Sequence, residues 1–78
     1  MSRVILDNDL LSWEVYASGG KFGLPEQPKI VFHCLSDPLR RSRYLVYRDG
    51  DNADAEQAVH ERSESELRDM LTRSRELD

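Results

Sequence analysis

A change of period near position 50 constrains this chain more than any other feature. Before it, apolar residues recur at every second position, the spacing of a pleated strand with one covered face. After it they recur at helical spacing. "RVIL" (3–6) is apolar and β-branched, and "DND" (7–9) supplies turn residues that tolerate left-handed backbone. In "LLSWEVYAS" (10–18), Leu11, Trp13 and Val15 alternate with Ser12, Glu14 and Tyr16, which predicts a hairpin of strands over 3–6 and 10–18. "KIVFHCL" (29–35) sets Ile30, Phe32 and Cys34 against Val31, His33 and Leu35, and "RYLVYR" (43–48) supplies a fourth run of strong strand formers.

Between these runs the punctuation is plain. "GGKFGLPEQP" (19–28) reads as a loop, with Phe22 and Leu24 folding back over a core edge. Asp37-Pro38 opens a turn, because proline fixes φ and pushes the residue before it extended. "RDGDN" (48–52) ends the fourth strand. A short helix or helical turn is expected over 53–60, then a stronger helix over 64–76. There Ser63 and Glu66 match the S-x-x-E cap, and Leu67, Met70, Leu71, Ser74 and Leu77 share one face. The expectation is one α+β domain over 1–78. It consists of a three- to four-stranded antiparallel meander packed on one C-terminal amphipathic helix, in two layers. In this arrangement Leu67, Met70 and Leu71 roof the sheet face of Trp13, Val15, Ile30 and Phe32.

The succession Trp13-Glu14-Val15-Tyr16 after a short hairpin, "IVFHC", an arginine-rich turn and "SESELRDML" resembles small uncharacterised bacterial proteins with a β-meander followed by a C-terminal helix. That resemblance implies an origin and a fold, and no activity. A single cysteine, Cys34, excludes an internal disulfide and fits a reducing cytoplasm. The N-terminal apolar run is too short for a signal peptide or a membrane span, so a cytoplasmic protein is expected.

Charge is unevenly spread. Residues 36–48 carry four arginines and one aspartate, net +3, while residues 49–66 carry seven acids and one arginine, net −6. Arg40, Arg41, Arg43 and Arg48, with Lys21 and Lys29 nearby, are therefore the candidate anion or nucleic-acid contact. Asp49, Asp51, Asp54 and Glu56 follow directly and offer intramolecular partners, and stacking aromatics are few, so a solvated or salt-bridged hairpin tip is the plainer expectation.

Motif chemistry is thin. Gly19-Gly20-Lys21 lacks the rest of a phosphate loop, since Phe22 follows the lysine. Counted from Asp49 as a calcium loop, position 5 is Ala53, position 6 is Asp54 and position 12 is His60, where a ligand, a glycine and a glutamate are required. His33 and Cys34 are adjacent on a strand and so point to opposite faces, and no zinc spacing occurs. No catalytic residue, metal site or cofactor is expected. The uncovered sheet face, with Tyr16, Val31, His33 and either Tyr44 or Tyr47 according to register, is the candidate partner surface. The functional expectation is a non-catalytic interaction or accessory module, with homodimerisation as one form of it.

Overall fold

The structure, a computed structural model, describes residues 2–18, 28–48 and 50–76. Among these, five antiparallel strands form one sheet in chain order: β1 (Arg3–Leu6), β2 (Ser12–Ser18), β3 (Lys29–Cys34), β4 (Arg43–Val46) and β5 (Arg75–Glu76). Two helices, α1 (Asn52–Glu61) and α2 (Glu64–Arg73), lie in the chain between β4 and β5. The protein is thus a small α+β fold, with one more strand and one more packed helix than the sequence pattern suggested. No helix among the described residues is long and apolar enough to cross a membrane.

Directly opposed residues share a sheet face, so the register sorts the side chains. One face is built from three rows. Ile5, Trp13 and Cys34 form the first; Arg3, Val15, Phe32 and Arg43 the second; Ala17, Ile30 and Leu45 the third. The apolar centre of these rows is closed to solvent, with Ile5, Trp13, Val15, Ile30, Phe32 and Cys34 each at most 2 % exposed. Ala55 and Val59 of α1 and Leu67, Met70 and Leu71 of α2 complete the same cluster. The expected roof of α2 over Trp13, Val15, Ile30 and Phe32 is met only in part: α2 joins their cluster but lies nearest β1 and β4, and α1 covers β2 and β3.

Both helices are started by side-chain caps. Asp51 accepts the Asp54 N–H and Asp54 accepts the Asp51 N–H, each at 3.0 Å, a reciprocal box that the sequence reading missed because aspartate fills the place usually held by glutamate. Gly50 leaves room for it, since a Cβ there would collide with the Asp54 carboxylate. The hydrogen bond from the Asp54 N–H holds the Asp51 carboxyl below its ordinary pKa. Alanines at 55 and 58 bring α1 close to β2 and β3, although they give it only a weak apolar stripe. At α2, the expected Ser63 cap accepts the Glu66 N–H at 3.1 Å.

The element ends also differ from expectation. Helix α2 stops at Arg73 rather than running to 76, because Ser74 turns extended and its hydroxyl donates to the Leu71 carbonyl. That exit releases Arg75 and Glu76 to pair with Tyr44 and Arg43 as β5. Strand β2 begins at Ser12, not at 10. Leu10 takes the left-handed conformation, with φ 66°, where one of the residues at 7–9 was expected to. Asp7 organises this turn, accepting the Asp9 and Leu11 N–H groups at 2.8 and 2.9 Å and the Trp13 indole N–H at 2.8 Å. Strand β3 ends at Cys34 and β4 at Val46, one and two residues short of expectation. Phe22, Leu24 and Leu77 lie outside the described residues.

The Leu67 side chain has no exposure and belongs to the core cluster that joins helices and sheet, so Leu67→Ala is expected to cost about 2–5 kcal/mol. Leu39→Ala, at a side chain 92 % exposed, should stay within about 0.5 kcal/mol of the parent; urea denaturation compares the two. Slight burial raises the Asp7 pKa, and the hydrogen bonds from Trp13, Leu11 and Asp9 outweigh it, leaving the group below its ordinary value. A depressed folded pKa gives stability that is present above the unfolded value and lost as pH falls through the folded one. Asp7→Asn should therefore be less stable than the parent at neutral pH, with the gap closing as pH falls below about 4.

Candidate functional site

The face away from the helices follows from the same register. Tyr16 opposes Val31 and Val31 opposes Tyr44, so these three form one cross-strand row, and Glu14 and His33 form the next. Flanked by two tyrosines, Val31 is only 7 % exposed although no helix among the described residues covers it. The tyrosines are half-buried and His33 is exposed, with its Nδ1 3.0 Å from the Ser42 hydroxyl. Register also decides between the two later tyrosines. Tyr44 joins the row, whereas Tyr47 packs against the core on the helix side, so it is separated from the other candidate partner residues. Val4 (56 % exposed) and Leu6 (43 %) extend the apolar strip along β1, which the sequence reading did not include. Alternation through "RVIL" was the available signal, since it puts Val4 and Leu6 opposite Ile5.

The Lys29 ammonium sits 5.6 Å from the centre of the Tyr44 ring, a cation–π distance. Lys29 and Arg75 therefore stand on the tyrosine face as its cations, opposite Val46 and Tyr44 respectively, with Glu14 as an acid on the same face.

The arginines do not form one patch. Arg43 belongs to the helix-side face; its Nε donates to the Ser74 hydroxyl at 2.8 Å and its Nη2 to the Ser74 carbonyl. Those donors serve the fold, at the end of α2. Arg40 and Arg41 are exposed on the turn, where Asp37 accepts the Leu39 N–H at 3.0 Å and Arg40 approaches the Asp37 carboxylate at 3.9 Å. Together with Asp7, Asp9 and Trp13, both arginines line an open groove of about 390 Å³ of mixed charge. Arg48 is exposed at the far end of β4. Lys21 lies outside the described residues.

Among the described residues, the acidic segment makes no ion pair with Arg40, Arg41, Arg43 or Arg48, and Asp49 lies outside them. Asp51 and Asp54 are engaged in the cap of α1, and the ion pairs among the described residues are Asp37–Arg40, Glu66–Arg62, Glu64–Arg68 and Asp69–Arg73. All are local pairs three or four residues apart. The hydrogen bond from Arg62 holds the Glu66 carboxyl below its usual range.

Cys34 is buried at 2 % exposure while its neighbour His33 faces solvent on the other side of the sheet. Among the described residues, no group of three or more His, Cys, Asp or Glu side chains is placed to hold a metal ion.

Arg43→Ala removes charged donors from part-buried acceptors and is expected to cost roughly 1.5–3 kcal/mol. Arg41→Ala, on the exposed turn, should cost less than about 0.5 kcal/mol; urea midpoints of the two variants measure the contrast. Compared with known protein families, curated proteins and solved structures, the chain finds no significant match.

Proposed function

We propose that this chain is a non-catalytic interaction module that binds another protein through its helix-free sheet face, with a second copy of itself as the simplest partner. The observation carrying this reading is the Tyr16–Val31–Tyr44 row, left without a helix because α1 and α2 both pack on the opposite face. Tyrosine suits such a surface, since its ring buries area at small entropic cost and its hydroxyl remains hydrogen-bonded. The charges of the face favour self-association. Glu14 lies in the row on one side of the tyrosines and Lys29 in the row on the other, so a two-fold axis along the tyrosine row sets acid against base in both copies. The surroundings of Cys34 and His33 also favour contact over chemistry. The thiol is in the core, and the imidazole is paired with a serine hydroxyl.

A second reading, anion or nucleic-acid binding, draws on the exposure of Arg40, Arg41 and Arg48. Titration with short DNA or RNA at two salt concentrations separates the readings, because phosphate contacts release counterions and give a steep salt slope.

On the contact reading, sedimentation velocity should show a mass that rises with protein concentration, and Tyr16→Ser with Tyr44→Ser should return the chain to monomer with its circular dichroism unchanged. A monomer at millimolar concentration removes the homodimer. Unaltered association of the tyrosine variant removes this face.

A further inference from the structure

The two margins of the sheet are finished differently. At the end of β1, the Leu6 N–H donates to Glu64 Oε2 at 3.1 Å and the Leu6 carbonyl accepts Arg68 Nε at 2.8 Å, so side chains of α2 satisfy the strand's outward groups there. At the other margin β5 is only two residues long and pairs with Arg43 and Tyr44 alone. Beyond it, β4 has no neighbouring strand among the described residues. The Tyr47 N–H donates to the Pro28 carbonyl at 2.8 Å, and successive residues of a strand direct their backbone groups to opposite sides. Val46 therefore directs its N–H and C=O away from β3, and among the described residues no strand pairs with it there.

The surroundings of Val46 are basic. Two adjoining grooves, about 340 and 310 Å³, meet along Leu45, Val46 and Arg48, and their described linings contain four arginines and no acid. Two of the four, Arg62 and Arg73, are each held at 3.2 Å by an acid of α2, Glu66 and Asp69 respectively. Arg48 and Arg75 are exposed and make no ion pair among the described residues. Met70 and Leu45 provide an apolar floor between the charges.

An unpaired strand segment, an apolar floor and a rim of arginines match an extended peptide bearing carboxylates: the backbone groups supply affinity and the rim supplies sign. We infer that this margin is the docking site for a short extended acidic segment of a partner protein, added as a strand against Val46 with its carboxylates on Arg48, Arg73 and Arg75. A nucleic acid is the less fitting occupant. Its repeating phosphates would need a longer basic track than these grooves offer, and the chain as a whole carries net charge −4. The inference extends the contact reading to a second surface and does not need the tyrosine face to be an interface, since Tyr16 takes no part in it.

The test titrates the isotopically labelled full chain with a capped octapeptide of alternating valine and glutamate, up to about 1 mM, with a valine–lysine octapeptide and an eight-nucleotide thymidine strand as comparators. Amide exchange at Val46 should slow roughly tenfold with the acidic peptide, and shift changes should centre on Leu45–Arg48, Arg73 and Arg75. Combining Arg48→Glu with Arg75→Glu should weaken that binding about tenfold or more, while a Tyr16→Ser chain binds as the parent does. Unchanged exchange at Val46, equal binding of the lysine peptide, or equal binding by the charge-reversed chain would each overturn the inference. Tighter binding of the thymidine strand at the same residues would also overturn it and assign the grooves to nucleic acid. Exchange is read on the unsubstituted chain, so a variant that fails to fold does not remove the test.

Discussion

An arginine stands at each end of the central helix-side row of the sheet, and the arrangement of the helices depends on this pair. The row runs Arg3, Val15, Phe32, Arg43 across four strands. Arg3 donates to the Val59 and Arg62 carbonyls at the end of α1, and Arg43 donates to Ser74 at the end of α2. The last carbonyls of a helix have no partner within it and carry the negative end of its dipole, so a guanidinium is the complementary group. One row of the sheet thus holds the ends of two helices at its two rims, with the valine and phenylalanine between them in the core.

The consequence is a strongly sided molecule. With both helices clasped to one face, the other face receives neither, and among the described residues Tyr16 and Tyr44 flank Val31 there. In a domain this small the core has few residues to spare, so the alanine face of α1 matters more than its weak apolar stripe suggests. Small side chains bring that helix close enough for Val59 to be fully enclosed. The left-handed Leu10 is tolerated because Asp7 ties its own turn to the Trp13 indole, which anchors the hairpin to the core.

Charge follows the same division. Asp51 and Asp54, after β4, serve the start of α1, and the described arginines are divided among fold, turn and sheet margin. Net charge by segment therefore misleads as a guide to function. Arg43, central to the basic segment of the sequence, is a structural clasp. Arg75, outside that segment, joins Arg48 beside the open part of β4. The contact reading draws its strength from what the described residues leave without a helix or a strand: a tyrosine row on one side and a segment of β4 at one edge.

The sequence alone determined the elements whose signals are local. Alternation marked β2 and β3, the serine cap marked α2, and both were legible because each depends on neighbours within a few positions. Adjacent His33 and Cys34 likewise had to face opposite ways. Tertiary structure decided the rest. The choice of Tyr44 over Tyr47 needed the pairing Val31–Tyr44, since a slip of one residue exchanges the faces of a strand. Strand β5 needed Arg43 to take Ser74 and end the helix early, a contact between residues 31 positions apart that no periodicity encodes. The separate roles of the arginines have the same origin: a guanidinium takes its function from what lies within about 3 Å of it, and chain folding sets that neighbourhood.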